Sequence, residues 1–589
     1  MKVWFVNCLR QHYSDMKKIL SVLFAVFISV SAFAQEPLDV LSSVDESLYK
    51  QIFDLQDKEK VVAAQKLEHQ ITDPILMNEV LYQRYTYKQY HTRGAEVKEW
   101  MDKYYDMPGA TRMEKLAKRK QASVRSPKIP AMITGRASSI DVAQSDGLST
   151  KTYSGATEKT VNKFKKAIRG GHTKIARLIL EDKAFKGKIT STDYGRLAGR
   201  LSYSYYTDGE YELARKWGSV GAETESEYGL WTLGLLSFKQ EKYGESRDYF
   251  ARILKIDKIS TIRKVETAFW AGRAADLNED KEEAREFWKI AAEYPMAFYG
   301  ALAATMLGDV PEYEFFEQEL TSEDIDALRT DRYGKAALAL LQIKRKDRAA
   351  EYLKYMITSK ISDKNLHAVN SVATAYGLPR VAILASGVIK DRGILEIDDD
   401  VIYSAQYPLP DWEPMGGWSI DRALLLAITK QESGFRSDVT SKAGANGLMQ
   451  IMPGTARMVA RANKVNMSDL DITNPEHNMF LGQQFIVDLL MHPNINNNII
   501  KMLVAYNAGM GNLIKFQKSF STDDPLLFIE SFPIYETRSY IKRVMANLWL
   551  YRARLNQPLT TLKVLADSGW PLYNSEDEYV RNKQNERVL

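Results

Sequence analysis

A glutamate that continues the apolar stripe of a helix is a candidate proton donor, and this chain has one. Over Ile420–Glu432, Leu425, Ile428 and Glu432 recur at spacings of three and four, so the carboxyl shares a face with aliphatic side chains. Gly434 ends the helical pattern, which puts Glu432 near the negative end of the helix dipole. Desolvation and dipole both disfavour the carboxylate and push its pKa toward the range where a carboxylic acid donates near neutrality. Ser419 is placed to cap this helix, with Asp421 in its first turn. A glutamate here could equally curl outward as amphipathic surface, and the spacing alone leaves both readings open.

The following residues suggest a polar, carbohydrate-like ligand. Gly444-Ala-Asn-Gly-Leu-Met-Gln450 is a glycine-bearing turn entering a second helix, where backbone amides can approach a ligand closely. Asn474-Pro475, with Asn478 and Gly482, opens another helix. Ala505-Tyr-Asn-Ala-Gly509 and Pro533-Ile-Tyr-Glu-Thr-Arg538 with Tyr540 come after it. Carboxamides pair with hydroxyls, and aromatic rings offer stacking surfaces to the apolar faces of sugars. The seven histidines are scattered and form no ligand cluster, so neither a metal nor a cofactor is expected.

Gln431-Glu-Ser433, Gly447-Leu-Met-Gln450, Ala505-Tyr-Asn-Ala-Gly509 and Glu536-Thr-Arg538 with Tyr540 occur in order with compatible spacing. Together, over about Trp418 to Asn556, they resemble the soluble lytic transglycosylases, whose catalytic domain is goose-lysozyme-like. The resemblance implies that Glu432 is the sole acid and base. It places Ser441 against the substrate near that glutamate and Gln450 and Met452 along the glycan cleft. Tyr506 and Asn507 fall in the signature that shapes the site, and Tyr540 orients the glutamate. Arg538 and Glu536 read as structural. The implied reaction cuts peptidoglycan between N-acetylmuramic acid and N-acetylglucosamine without water, leaving a 1,6-anhydro ring. Most glycosidases use a second carboxyl. Here Asp421 lies three helical turns from Glu432, and Asp438 lies beyond the helix-ending glycine. A hydrolytic muramidase on the same fold and a non-catalytic solenoid scaffold are the alternatives.

The rest of the chain must position these residues. From about Val44 to Ile397 the periodicity is helical, interrupted by a Ser-, Thr- and Gly-rich insertion at 122–156 with a flanking basic cluster (Lys115, Lys118, Arg119, Lys120, Arg125, Lys128) that reads mainly as solvated surface. Trp231-Thr-Leu-Gly234 and Ser246-Arg-Asp-Tyr-Phe250 match Phe269-Trp-Ala-Gly272 and Ala284-Arg-Glu-Phe-Trp288 at a constant offset of 38 residues, with a weaker copy around Gly209–Trp217. A small residue followed by a plugging aromatic is the pattern of tetratricopeptide-like solenoids. The expected fold is all-α: a helical superhelix over 35–400, ring-shaped by the resemblance, a Pro-rich linker at 401–418, and a lysozyme-like domain over 419–589.

Hydrophobic content of 45% and charged content of 26% describe a soluble globular chain. From Met16, a basic start (Lys17, Lys18), an apolar run Ile19–Val30 and Ala32-Phe33-Ala34 form an export signal cut after Ala34, with residues 1–15 as an upstream extension. Its removal takes the formal charge from +5 to about +2, which gives little reason to expect nucleic acid. The only cysteine, Cys8, leaves with it, so neither disulfides nor a lipid-bearing cysteine is expected. The expected location is the periplasm, without a stable membrane anchor. The expected partners are peptidoglycan glycan strands and, through the solenoid, cell-wall synthesis or secretion proteins.

Overall fold

The computed structural model describes residues 38–87, 89–133, 148–395 and 401–578. The expected export signal, with Ala34 and Cys8, lies outside the described residues, as do residues 134–147 of the insertion. The fold is mostly helical. Its two three-residue strands, Glu314–Phe316 and Val401–Tyr403, pair in parallel, and isolated bridges make up the rest among the described residues. No described helix is long and apolar enough to cross a membrane.

The chain divides into two compact units. The first combines Met1–Ile133 with Gln318–Val381. Its helices are tied by buried polar side chains: Arg348 donates to both Glu79 oxygens at 2.6 and 2.7 Å, and the Tyr352 hydroxyl donates to the same carboxylate at 2.7 Å. The second unit combines Thr134–Glu317 with Ala382–Leu589 and contains every candidate site residue.

Helix pairs build the first half of the second unit: Ser191–Thr207 with Tyr211–Ala222, Glu227–Lys239 with Tyr243–Leu254, and Thr261–Leu277 with Lys281–Ala292. The 38-residue repeat has a physical basis here. A Cβ on Gly234 would stand 2.7 Å from the Phe250 ring, and one on Gly272 would stand 2.4 Å from the Trp288 indole. Each glycine lets an aromatic of the partner helix seat against bare backbone. Phe238 packs edge-on against Trp270 at 5.0 Å, and Phe269 stacks on Tyr299 at 4.8 Å, so consecutive pairs share one apolar core. That core continues into the C-terminal helices, where it includes Leu425, Ile428, Leu503, Val544 and Trp549.

Candidate active site

The Arg422–Ser433 helix carries Glu432 in its last turn, behind a run from Ala423 to Thr429 that is wholly buried. Gly434 (φ +57°) and Phe435 (φ +63°) then turn the chain through the left-handed region. For phenylalanine that conformation is strained, and burial of the ring beside Trp412 holds it. The expected start of this helix needs correction. Ser419 does not cap it: its amide donates to Gln483, and its hydroxyl accepts from Gln484. Asp421 occupies the cap position without bonding the helix, because its buried carboxylate receives Arg552, Ser575 and the amides of Glu576 and Asp577. It therefore anchors the C-terminal segment.

The motifs separated in sequence are knitted together in space. Gly447 (φ +75°) sits where a Cβ would stand 2.1 Å from the Asn478 amide nitrogen. Fully buried Asn478 brackets that turn, accepting from the Met449 amide at 2.8 Å and donating to the carbonyls of Asn446 and Ile472. The Met449 carbonyl accepts from the Tyr506 hydroxyl at 2.8 Å. Asn507, next along, accepts from the Thr537 hydroxyl at 2.6 Å, which ties the Ala505–Gly509 motif to the Tyr535–Arg554 helix. That helix supplies Tyr540, whose ring lies nearly parallel to Tyr506 with centroids 6.5 Å apart.

Ser441, Gln450 and Met452 belong to the adjoining turn. The Ser441 hydroxyl accepts from the Ala445 amide at 2.9 Å, which leaves its own proton for a ligand. Gln450, at φ +48°, donates its amide to the carbonyls of Val439 and Gly447, which leaves its oxygen as an acceptor. Met452 stands 43% exposed at the start of the Pro453–Ala462 helix, a large apolar side chain open to a ligand.

Burial, ahead of any charge, sets the acidity of Glu432. It lifts the carboxyl from the ordinary 4.5 to about 7. The Tyr540 hydroxyl acts in the opposite direction by stabilising the anion, and the nearby charge of exposed Glu536 adds to the rise. The Tyr540 hydroxyl is buried and has no fully formed hydrogen bond among the described residues; the carboxyl it influences is that of Glu432. Tyr506, also beside Glu432, is held far above the usual phenol range by burial and then by that carboxylate, so it stays a neutral hydroxyl.

The Tyr535–Arg554 helix is braced on a second side by buried charges, of which the sequence pointed only to Arg538, as a structural residue. Buried Lys542 donates to Glu266 of the Thr261–Leu277 helix and, at 3.0 Å, to Glu530. Glu530 also accepts from the Tyr299 hydroxyl at 2.7 Å, and Glu266 pairs with Arg263 at 3.1 Å. One turn earlier, Arg538 donates to the Phe532 carbonyl and lies over the Tyr203 ring. Two cations four apart on one helix were the available signal, since a buried stripe of that kind requires carboxylates opposite.

Residues 413–528 match the Transglycosylase SLT domain family. The soluble lytic murein transglycosylase of Salmonella typhimurium is 34% identical over 157 residues, 26% of this chain and 24% of the relative. That of Escherichia coli K12 is 36% identical over 139 residues, 23% of this chain and 21% of the relative. A Haemophilus influenzae protein is 26% identical over 379 residues, 59% of this chain and 61% of its own length. The chain thus spans less than two thirds of these relatives. In fold it matches the crystal structure of the 70 kDa soluble lytic transglycosylase from Escherichia coli, with a TM-score of 0.52 at 18% identity, over 90% of this chain and 99% of that one. A Pseudomonas aeruginosa lytic transglycosylase, solved as an inactive glutamate-to-glutamine variant, matches with a TM-score of 0.51 at 17% identity, over 88% of each chain. The helical superhelix followed by a lysozyme-like domain is therefore the fold of this chain.

Proposed function

We propose, from the match of residues 413–528 to the Transglycosylase SLT domain family and the likeness to soluble lytic murein transglycosylases, that this chain cleaves the glycan strands of peptidoglycan between N-acetylmuramic acid and N-acetylglucosamine. The observation that supports this most is the Glu432 carboxyl, raised to about 7 within a site that four separate motifs assemble. A group with that acidity is protonated often enough near neutrality to donate to the bridging oxygen, and is then basic enough to take a proton back. In the proposed sequence the muramoyl 2-acetamido group supports the positive charge as the bond breaks. Glu432, now a carboxylate, removes the proton of the same sugar's 6-hydroxyl, which closes a 1,6-anhydro ring. Ser441, Gln450 and Met452 line the glycan path, Tyr506 and Asn507 hold its wall, and Tyr540 orients Glu432. An export signal ending at Ala34 would deliver the protein to the periplasm, where its substrate is.

Glu536 is the one observation that favours a second reading. It is close enough to Glu432 to raise its pKa, so it could activate water and make the enzyme a muramidase. Buried Asp421 is committed to Arg552 and Ser575 and cannot serve. The 6-hydroxyl has the advantage of proximity over any water. Digestion in ¹⁸O-labelled water should give unlabelled, non-reducing muropeptides, and Glu536→Gln should leave that product unchanged. Labelled, reducing products that disappear in Glu536→Gln would establish hydrolysis instead.

A further inference from the structure

One basic stretch of this chain carries more net positive charge than the chain as a whole. Residues 148–188 hold 11 Lys and Arg against 3 Asp and Glu, a net +8, whereas the whole chain is +5, so all other residues together are −3. The structure resolves that stretch into an antiparallel pair, Gly155–Arg169 and Thr173–Glu181, followed by a short turn. Val161, Phe164, Ala167 and Ile168 bury one face of the first helix. Lys159, Lys163 and Lys166 follow one another at helical spacing on its exposed face, with exposed Lys174 opening the second helix.

The local acids do not neutralise this stripe. The two oxygens of Glu158 accept from the Tyr153 amide and from Asn162, and Asp182 accepts from the Ala184 amide. Among the described residues, Lys159, Lys163, Lys166 and Lys174 enter no ion pair. The pair packs against the Ser191–Thr207 helix, in the same compact unit as the candidate site residues.

We propose that this cationic face is a docking surface for the carboxylate-bearing stem peptides of peptidoglycan and retains the polymer on the unit that carries the candidate active site. The inference rests on the glycan-cleaving reading above and adds a second, electrostatic contact to it. A regular row of mobile ammonium groups suits many weakly held carboxylates on a flexible polymer, an association that salt screens. A membrane surface fits less well. Ile175 and Leu178 are exposed, but the remaining apolar residues of their helix, Ala176, Ile179 and Leu180, pack inward and leave no broad face to embed.

The test uses the full-length protein and its Lys159→Glu/Lys163→Glu/Lys166→Glu/Lys174→Glu variant, sedimented with insoluble peptidoglycan sacculi at low and at high salt. Wild type should bind at low salt and release at high salt. The variant should bind at least about tenfold more weakly at low salt, and sacculi whose carboxyls have been amidated should lose wild-type binding to the same extent. Both proteins should cleave stem-free glycan strands at equal rates. Equal binding of variant and wild type, unchanged binding to amidated sacculi, or salt-sensitive binding of wild type to anionic phospholipid vesicles but not to sacculi would each overturn the inference. A wild type that binds sacculi through its lysines yet cleaves neither substrate would instead sink the enzymatic reading, so the two failures are distinguishable.

Discussion

The acidity of Glu432 makes a prediction about stability as well as rate. Its folded-state pKa of about 7, against 4.5 ordinarily, means that the folded protein disfavours the carboxylate by about 3 kcal/mol. The sign follows from linkage. Below pH 4.5 the group is protonated in folded and unfolded chains alike, and nothing is lost. Between pH 4.5 and 7 the unfolded chain releases this proton to water while the folded chain still holds it, so the cost accumulates across that window and is complete by about pH 8. Glutamine carries no charge at any pH and fits the same space. Glu432→Gln should therefore match wild type at pH 4.5 and exceed it by about 3 kcal/mol at pH 8.5, which for a unit this large is about 4 °C in melting temperature. The same variant should lose roughly 10²-fold or more in glycan cleavage, since in the proposed mechanism one group serves both proton transfers. Thermal melts of both proteins across this pH range, with turnover measured on the same samples, decide the matter. A melting-temperature difference that is flat with pH, or that favours wild type at pH 8.5, would refute the buried-acid argument. A variant keeping more than about a tenth of the wild-type rate would refute the catalytic assignment.

Tyr540→Phe removes a group that stabilises the Glu432 anion, so the alkaline limb of the pH–rate profile should move up. Glu536→Gln removes a repelling charge, so the limb should move down, and shifts in the same direction would contradict this electrostatic account. Lys542→Met leaves Glu266 and Glu530 buried with less compensation and should cost roughly 3–5 kcal/mol in denaturant unfolding. Gly447→Ala places a Cβ on the Asn478 amide at a backbone angle unfavourable to alanine, and should cost at least about 2 kcal/mol by the same assay.

Periodicity made some of this readable and left the rest hidden. Glu432 stands out because Leu425 and Ile428 precede it on one stripe, and the glycine–aromatic offset of 38 residues follows from helices that approach at Gly234 and Gly272. The helix start differs from the expectation because Ser419 is a good cap and Asp421 a good first-turn acid in isolation, and only the fold shows that Gln484 and Arg552 claim them. Desolvation, expected from the apolar stripe, is the leading cause of the raised acid, and Glu536, read as structural, adds its charge. The brace from Lys542 to Glu266 joins residues 276 positions apart, a separation that no local pattern can report.

These connections also bear on how one carboxyl could serve twice. Tyr506, beside Glu432, and the candidate site residues Asn507 and Gln450 are fixed by bonds that do not involve that carboxyl: Tyr506 to the Met449 carbonyl, Asn507 to Thr537, and Gln450 to Val439 and Gly447. Lys542 and Arg538 secure the Tyr540 helix from another side. Loss or gain of a proton at Glu432 therefore breaks none of the bonds that shape its surroundings, and the Tyr540 hydroxyl is the group placed to respond. An acid that must return as a base within one turnover needs such a frame, because any relaxation after the first proton transfer would have to be undone before the second.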